Sequence, residues 1–511
     1  MKTPILGSAY TARSINAADS KMVNLYPEMI PEGGKEPAFL SKREALTFIA
    51  YGNGAASVSN NPIRGMIATY DLDAVGTPAV LYVVSGANLY STQDLITWTN
   101  LGAIAGTYSV SMASSGSEIF IATSAGTSYI VDIGTNTLTQ ITDPDFPGAR
   151  FVTYLDGFFV FCTLRDQKVW CTGLLNGLSI DALSFASAES FPDPVIGVVA
   201  HGGDLWVFGT QTTEVWSNVG TSGFPFAPMQ GANINVGCIS GLTVAKTENS
   251  LYWLGQDTNG RGIVYRANGY TAQRVSTHSI EWQIQDLGVP GPPFVSAPEA
   301  EPYAFVYQKD GHVFYVLTFP SPSNSATWVY DVTTEAWHRR SSGDQATRWR
   351  ARGCAFFAMQ TTQYVLVGDI EKNIIYVLSD DYSDSDPAAP ETTYMPIEWL
   401  RSWRALAPGM NNLKRTAQHS LQLDIETGVH SGVDPIADAQ VTLRWSDDGG
   451  HTWSSNHTIS MGASGNYSKR VIWRRLGMTT KLRDRVYEVS GSHPVKIAIM
   501  GAELILSPTN A

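Results

Sequence analysis

Between about Pro62 and Asp381 the chain keeps returning to one pattern: a short polar or glycine-containing turn, an alternating apolar strand, then a second strand. The seven instances are TPAVLYVVSGANLYS, GSEIFIATSAGTSYIVD, LDGFFVFCTLRDQKVWC, GGDLWVFGTQTTEVWS, ENSLYWLGQDTNGRGIVYR, KDGHVFYVLTFPSPSNSATWVYD and TTQYVLVGDIEKNIIYVLS. They recur every 40 to 60 residues, the spacing of propeller blades with variable loops, and so predict six or seven blades. In DLWVFG, Leu205 and Val207 point one way, Trp206 and Phe208 the other. Both faces are apolar, so the strand is expected to be covered on both sides, as blades are when they stack on neighbours. A lone hairpin of this size would be marginal, and repetition supplies its partner.

The pattern divides the chain. Residues 1–61 have little periodicity and read as an extended N-terminal arm packed against other elements; 62–381 read as the propeller. The acidic Ser- and Pro-rich stretch SDDYSDSDPAAPETT reads as a linker, placed at 382–393. From 394 to 511 the segments HSLQLDIETG, AQVTLRWSDDGGHTWS, YSKRVIWRRLG, DRVYEVSG and VKIAIMGAELIL read as strands of a C-terminal β-sandwich or platform. The expected fold class is all-β.

Composition narrows the role. Charged residues are only 16% of the 511, while Gly, Ser, Thr and aromatic residues abound, as short strands and tight turns require. The N-terminus lacks the apolar core of a signal peptide, and no stretch approaches the roughly 18 continuous apolar residues of a membrane span. Four cysteines without C-x-x-C spacing do not make a disulfide scaffold, and synthesis in a reducing cytoplasm is expected. Cys162 and Cys171 are equidistant from the turn at Asp166–Gln167; they could face each other across a hairpin within disulfide range, or remain buried thiols. The net charge of −12 is uneven: from Glu391 onward 13 Lys and Arg stand against 11 Asp and Glu, leaving 21 against 35 in residues 1–390. An acidic body argues against a protein that grips duplex DNA through phosphate contacts.

The sharpest chemical motif is RWSDDGGHTWS. Ser446, Asp448, Gly450, Thr452 and Trp453 fit the Asp-box, S-x-D-x-G-x-T-W, of sialidases and other glycan-handling propellers. In such a box the carboxylate accepts amide hydrogen bonds inside the turn, the glycine supplies a positive φ, and the Trp packs under the hairpin. A sialidase carries several boxes on successive blades, with an arginine cluster, an acid and a nucleophilic Tyr; here one complete box lies outside the repeats. The structural turn is therefore the expected reading, and a glycan-binding or glycan-cleaving propeller the alternative. Asp447–Asp448 and Asp380–Asp381 read as solvated turn acids rather than a general acid/base pair. The nine histidines show no metal-ligand spacing, and neither a P-loop nor G-x-S-x-G is present. No catalytic residue, cofactor or metal is expected.

Two arginine-rich stretches, HRRSSGDQATRWRAR from His338 and KRVIWRRLGMTTKLRDR from Lys469, suit either nucleic acid or a protein interface. The acidic total favours the interface. In RVIWRRL, Arg470, Ile472 and Arg474 alternate with Val471, Trp473 and Arg475, which suits a strand with one face against a partner or a neighbouring sheet. Arg470, Trp473, Arg474 and Arg475 are thus the candidate platform or interface residues.

The ending YSKRVIWRRLGMTTKLRDRVYEVSGSHPVKIAIMGAELIL resembles the C-terminal signature of the phage packaged-DNA stabilisation proteins, the tail hub or nozzle of short-tailed phages. The shared strand is K-R-V-x-W-x-R-[LV]-G, here Lys469, Arg470, Val471, Trp473, Arg475, Leu476 and Gly477, followed by Pro494 and Val495 before an alternating strand. VNLYPE, VFGTQTTEVWS and TWVYDVTTEAWHRR resemble further family segments in the same order. The resemblance implies a non-enzymatic virion protein, made in the host cytoplasm, that forms a homo-hexameric ring below the head-to-tail adaptor. It further implies tail fibres or spikes and a plug or needle as partners, with phage DNA passing through the lumen without sequence-specific binding, retained and then conducted at ejection. A monomeric WD-like scaffold is a weaker alternative.

Overall fold

The computed structural model describes the whole chain except residues 16, 32–33, 70–77, 164–165, 248, 259, 290, 292–293, 295–297, 322–323, 344–346, 360–361, 408–409, 411–414, 430–437, 481–484 and 510–511. Seven antiparallel sheets form the blades of a propeller, and each of the repeated segments supplies the second and third strands of one blade. The first strands meet one another around a closed ring, Ala351–Met359 of the seventh blade lying against Ile63–Thr69 of the first. Stacking explains the two apolar faces of Asp204–Gly209: Leu205 and Val207 pack with Val160, Val169 and Cys171 of the third blade, while Trp206 and Phe208 pack with Leu251 and Trp253 of the fifth.

The segment before residue 62 is woven into three sheets. Ala45–Tyr51, a strand from outside the 62–381 span, pairs antiparallel with Ile374–Ser379 and so completes the seventh blade. Leu25–Met29 and Ala38–Lys42 join Ala498–Pro508, Thr416–Ile425 and Val471–Arg474 in one sheet of the C-terminal sandwich. Met22–Val23 inserts between Ala336–Arg340, the last strand of the sixth blade, and Trp399–Arg404 of the sandwich, with Val23 opposite both Arg339 and Leu400. A single nine-stranded sheet therefore runs from the sixth blade into the sandwich, ending at Val486–Gly491, Ala439–Ser446 and His457–Gly462. The sandwich core is filled by Trp399, Trp403, Leu421, Val441, Leu443, Val471, Tyr487 and Leu504.

The stretch expected as a linker is ordered. Ser383–Ser385 pairs with Tyr394–Pro396 as a small hairpin, and the buried Asp384 of this hairpin accepts from Arg43 at 2.6 Å. The cysteines are all thiols. The hairpin register sets Cys162 opposite Val169 and Cys171 opposite Val160, so the two sulfurs sit on a diagonal, two residues out of the facing register that equal spacing from the turn suggested.

Candidate functional site: the sandwich edge, its Asp-box turn and the propeller axis

The Asp-box joins Ala439–Ser446 to His457–Gly462. Asp448 Oδ1 accepts from His451 N at 3.0 Å, Thr452 N at 2.8 Å and Ser446 Oγ at 2.6 Å, while Oδ2 accepts from Thr452 Oγ1 at 2.6 Å. These donors hold its carboxyl well below the ordinary carboxylate range, the Ser446 hydroxyl contributing most. Gly450 sits at φ 102°, and Trp453 Nε1 donates back to its carbonyl at 3.1 Å. The Arg444 guanidinium lies 4.7 Å from the Trp453 ring centroid. Asp447, the neighbouring acid, is bound by Arg485 at 2.7 and 2.8 Å. Every carboxylate oxygen of the pair thus serves the turn or an ion pair.

A second turn of the same make lies in the first blade, where the sequence shows only TQDLITW, one residue short of the full box. Asp94 accepts from Ile96 N at 2.9 Å and from Thr97 N at 2.6 Å, and Trp98 Nε1 donates to Leu95 O at 3.3 Å. Leu95 takes the glycine's place at φ 61°, its side chain buried in the core between the first and seventh blades. The shortened spacing hid it; the retained D-x-x-T-W was the signal. Turns of the form D-x-x-T also follow the third strands of the second and sixth blades, with Thr135 on Asp132 and Thr334 on Asp331. Asp-centred turns are therefore part of how this chain builds hairpins.

The two arginine-rich stretches part company. In the first, His338 and Arg340 are fully buried in the sixth blade, Arg350 pairs with Asp369 at 2.8 Å, and Arg348 pairs with Glu371 at 2.6 Å. In the second, Val471–Arg474 is the outermost strand of its sheet, paired only with Thr416–Ile425. Trp473 is buried in the sandwich core, its Nε1 donating to His457 O at 2.8 Å. Lys469, Arg470, Arg474 and Arg475 are exposed. Arg470 donates to Gln422 Oε1 at 2.6 Å, and Arg475 takes φ 61°. The sequence grouped Trp473 with the arginines; the fold assigns it to the core and leaves the cations at the surface.

Sequence reasoning missed the residues at the propeller axis. Arg150, just before the first strand of the third blade, pairs at 2.7 Å with Glu301, just before the first strand of the sixth. Glu301 also accepts from Ser240 of the fifth blade at 2.7 Å. Nearby, Arg64 is buried and donates to the carbonyls of Gly86, Ile104, Ala105 and Tyr108. Side chains from blades on opposite sides of the ring therefore meet at this end of the axis. Isolated Arg and Glu residues in loops carry no spacing that would announce such a bridge.

A seven-bladed propeller fused through a shared sheet to a β-sandwich, with the Asp-box acids Asp447 and Asp448 held in an ion pair and a turn, has the make of a structural protein. Residues 1–383 match the family model described as "Bacteriophage P22 Gp10, beta-propeller", and residues 402–506 match "Bacteriophage P22 Gp10, beta-sandwich". The chain belongs to this family, the phage packaged-DNA stabilisation proteins, which are structural tail proteins of the virion. No curated protein matches it. Among solved structures, a chain of "Crystal Structure of Mitotic Checkpoint Complex" is 14% identical, with 65% of this chain and 98% of that one covered at TM-score 0.40. A chain of "YCF48 bound to D1 peptide" is 12% identical, covering 66% and 98% at TM-score 0.37. The computationally designed Ika8 protein is 13% identical, covering 66% and 99% at TM-score 0.37. Likeness at this level carries no argument about role.

Proposed function

We propose that the chain is a tail hub or nozzle subunit that assembles into a ring below the head-to-tail adaptor. The ring retains the packaged DNA, conducts it at ejection and anchors tail appendages. The observation that carries this reading is the match to one phage tail family over both domains in chain order. Physical features support it. The Arg150–Glu301 bridge obstructs one end of the propeller axis, so a double helix does not thread a single subunit, and the DNA path is the lumen between subunits. Residues 1–390 carry 35 acids against 21 bases, and an acidic wall lets a phosphate backbone slide where a basic one would hold it by counterion release. The nine-stranded sheet shared by sixth blade and sandwich joins the two domains, as the wall of a conduit requires.

Electron microscopy of the purified protein, alone and with the adaptor ring of its virion, tests the reading. The expected result is a ring with an axial hole, six-fold if the stoichiometry is that of the proposed hexamer. Single particles that never join the adaptor would overturn it.

A further inference from the structure

Opposite charges lie on two sides of one sandwich sheet. On one side, at the end of Ala38–Lys42, a strand covered on its outer side by Leu25–Met29, the Lys42 Nζ donates to Tyr382 O at 2.8 Å, which places the acidic hairpin region there. This region exposes Asp380, Asp381 and Glu391. Asp380 is 81% exposed in its pair with Lys309, and Asp381 accepts only from the hydroxyls of Thr47 and Ser379. On the other side lies the outermost strand Val471–Arg474 with exposed Lys469, Arg470, Arg474 and Arg475. Three strand spacings, roughly 14 Å, separate this strand from Ala38–Lys42.

The four cations have no acid partner among the described residues; Arg470 meets only the Gln422 amide. Charge on an edge strand has an ordinary use, since lysine or arginine there keeps sheets from pairing edge to edge. The density of charge exceeds that use. Four cations stand within seven residues, a stretch that holds no acid. Arg475 adopts φ 61°, a backbone state that costs about 1 kcal/mol for a residue with a Cβ. Its amide donates to His419 O at 2.7 Å, which fixes the turn at the end of the strand, while its side chain stays exposed.

A surface that is basic on one flank and acidic on the other is complementary to itself head to tail, which is the geometry of a heterologous contact that closes into rings. We propose that the cationic edge, residues 469–475, of one copy docks on the acidic segment, residues 380–391, of the next copy. This contact rests on the ring reading above and names the surfaces that would build it. The open backbone edge of Val471–Arg474 lies between the cation pairs Lys469–Arg470 and Arg474–Arg475, so the docked segment meets hydrogen-bonding groups as well as charge.

Charge reversal with complementation tests it, read by sedimentation velocity over a concentration series, alone and with the adaptor ring. The full-length variants are Arg474→Glu/Arg475→Glu and Asp380→Lys/Asp381→Lys. All four positions are exposed, so each variant should keep the wild-type unfolding midpoint, which is checked first. The expected result is that each variant alone self-associates at least about tenfold more weakly than wild type, as reversed charge pairs repel. A one-to-one mixture should recover, because each reversed flank then meets its complement. Wild-type association by both variants would overturn the docking and leave the ring standing. Weakening without recovery on mixing would overturn the assignment of the acidic segment as partner. A wild-type protein monomeric under every condition would remove the ring reading, and the docking with it.

Discussion

Glu44 and Arg340 tie the N-terminal segment to the sixth blade inside the protein, and cutting that tie should be costly. Glu44 Oε2 lies 3.0 Å from Arg340 Nη1, and the side chains are 3% and 0% exposed. The Tyr307 hydroxyl donates to the same carboxylate oxygen at 3.0 Å, and the guanidinium sits 4.7 Å from the Phe314 ring and 5.0 Å from Trp349. Glu44→Leu leaves a guanidinium buried against aromatic rings with no counter-ion. Removing one member of a buried pair costs about 3 to 5 kcal/mol, and the ring faces return part of it, which places this variant near 3 kcal/mol. Glu44 Oε1 and Arg340 Nη2 have no hydrogen-bond partner, so the pair is incompletely satisfied even in the native protein. Glu44→Leu combined with Arg340→Met should therefore recover most of the loss, since apolar replacement of both partners is often neutral. Urea unfolding followed by tryptophan fluorescence reads both, with Trp349 as a reporter beside the pair. Single variants within about 1 kcal/mol of wild type would refute the reasoning, as would a double variant no better than the worse single.

Asp448→Ala should destabilise the sandwich by about 1 to 2 kcal/mol, the low side of the usual range because the amides of His451 and Thr452 are exposed and can turn to water; an unchanged unfolding midpoint would refute the turn's role. Gly450→Ala should also destabilise, because φ is 102° and an added Cβ would lie 2.9 Å from Asp19 Oδ2; hydrogen exchange at residues 446–454 checks it. Burial lowers the Lys42 amine from 10.5 to about 7. The unfolded chain therefore binds the additional proton between those values, and stability rises with pH from about 7 to about 10, by up to roughly 1.4 kcal/mol per pH unit. Lys42→Met should flatten that rise in paired unfolding curves at pH 7.5 and 9.5, a window set by the same linkage, and identical pH dependence in both proteins would count against it. Burial pushes the Cys162 and Cys171 thiols up to about 12, so neither should react with a disulfide reagent at pH 8 until urea unfolds the protein; rapid native labelling would contradict the fold.

The repeats were legible because each blade's second and third strands are consecutive in sequence and buried on both faces. Trp206 and Val215, or Val316 and Val329, sit in strands whose partners lie a turn away. The Asp-box was legible for the same reason: its donors and acceptor span Ser446 to Trp453. Local pairing writes local pattern. The function of Arg470, Arg474 and Arg475 as surface cations was half legible, since alternation separated two faces of the strand without saying which faced the core. Trp473 decided the matter only once its indole was seen donating to His457 O, 16 residues away.

What stayed hidden is the work of partners far apart in sequence. Val23 sits between Arg339 and Leu400, and Leu46 opposes Leu378, so Met22–Val23 and Ala45–Tyr51 take their strand conformation from partners more than 300 residues distant. Short strands such as Met22–Val23 need no hydrophobic period of their own, because neighbours on both sides supply the ladder. Closing so long a loop costs only slowly more entropy as the chain lengthens, about 0.6 kcal/mol per doubling, so such closure is affordable once the blades exist. The N-terminal segment that closes the seventh blade also enters both sandwich sheets, and it cannot leave one without disturbing the other. Opening the propeller and detaching the sandwich are therefore coupled events, and a pull on the cationic edge at Val471–Arg474 reaches the blades through that segment rather than through a hinge.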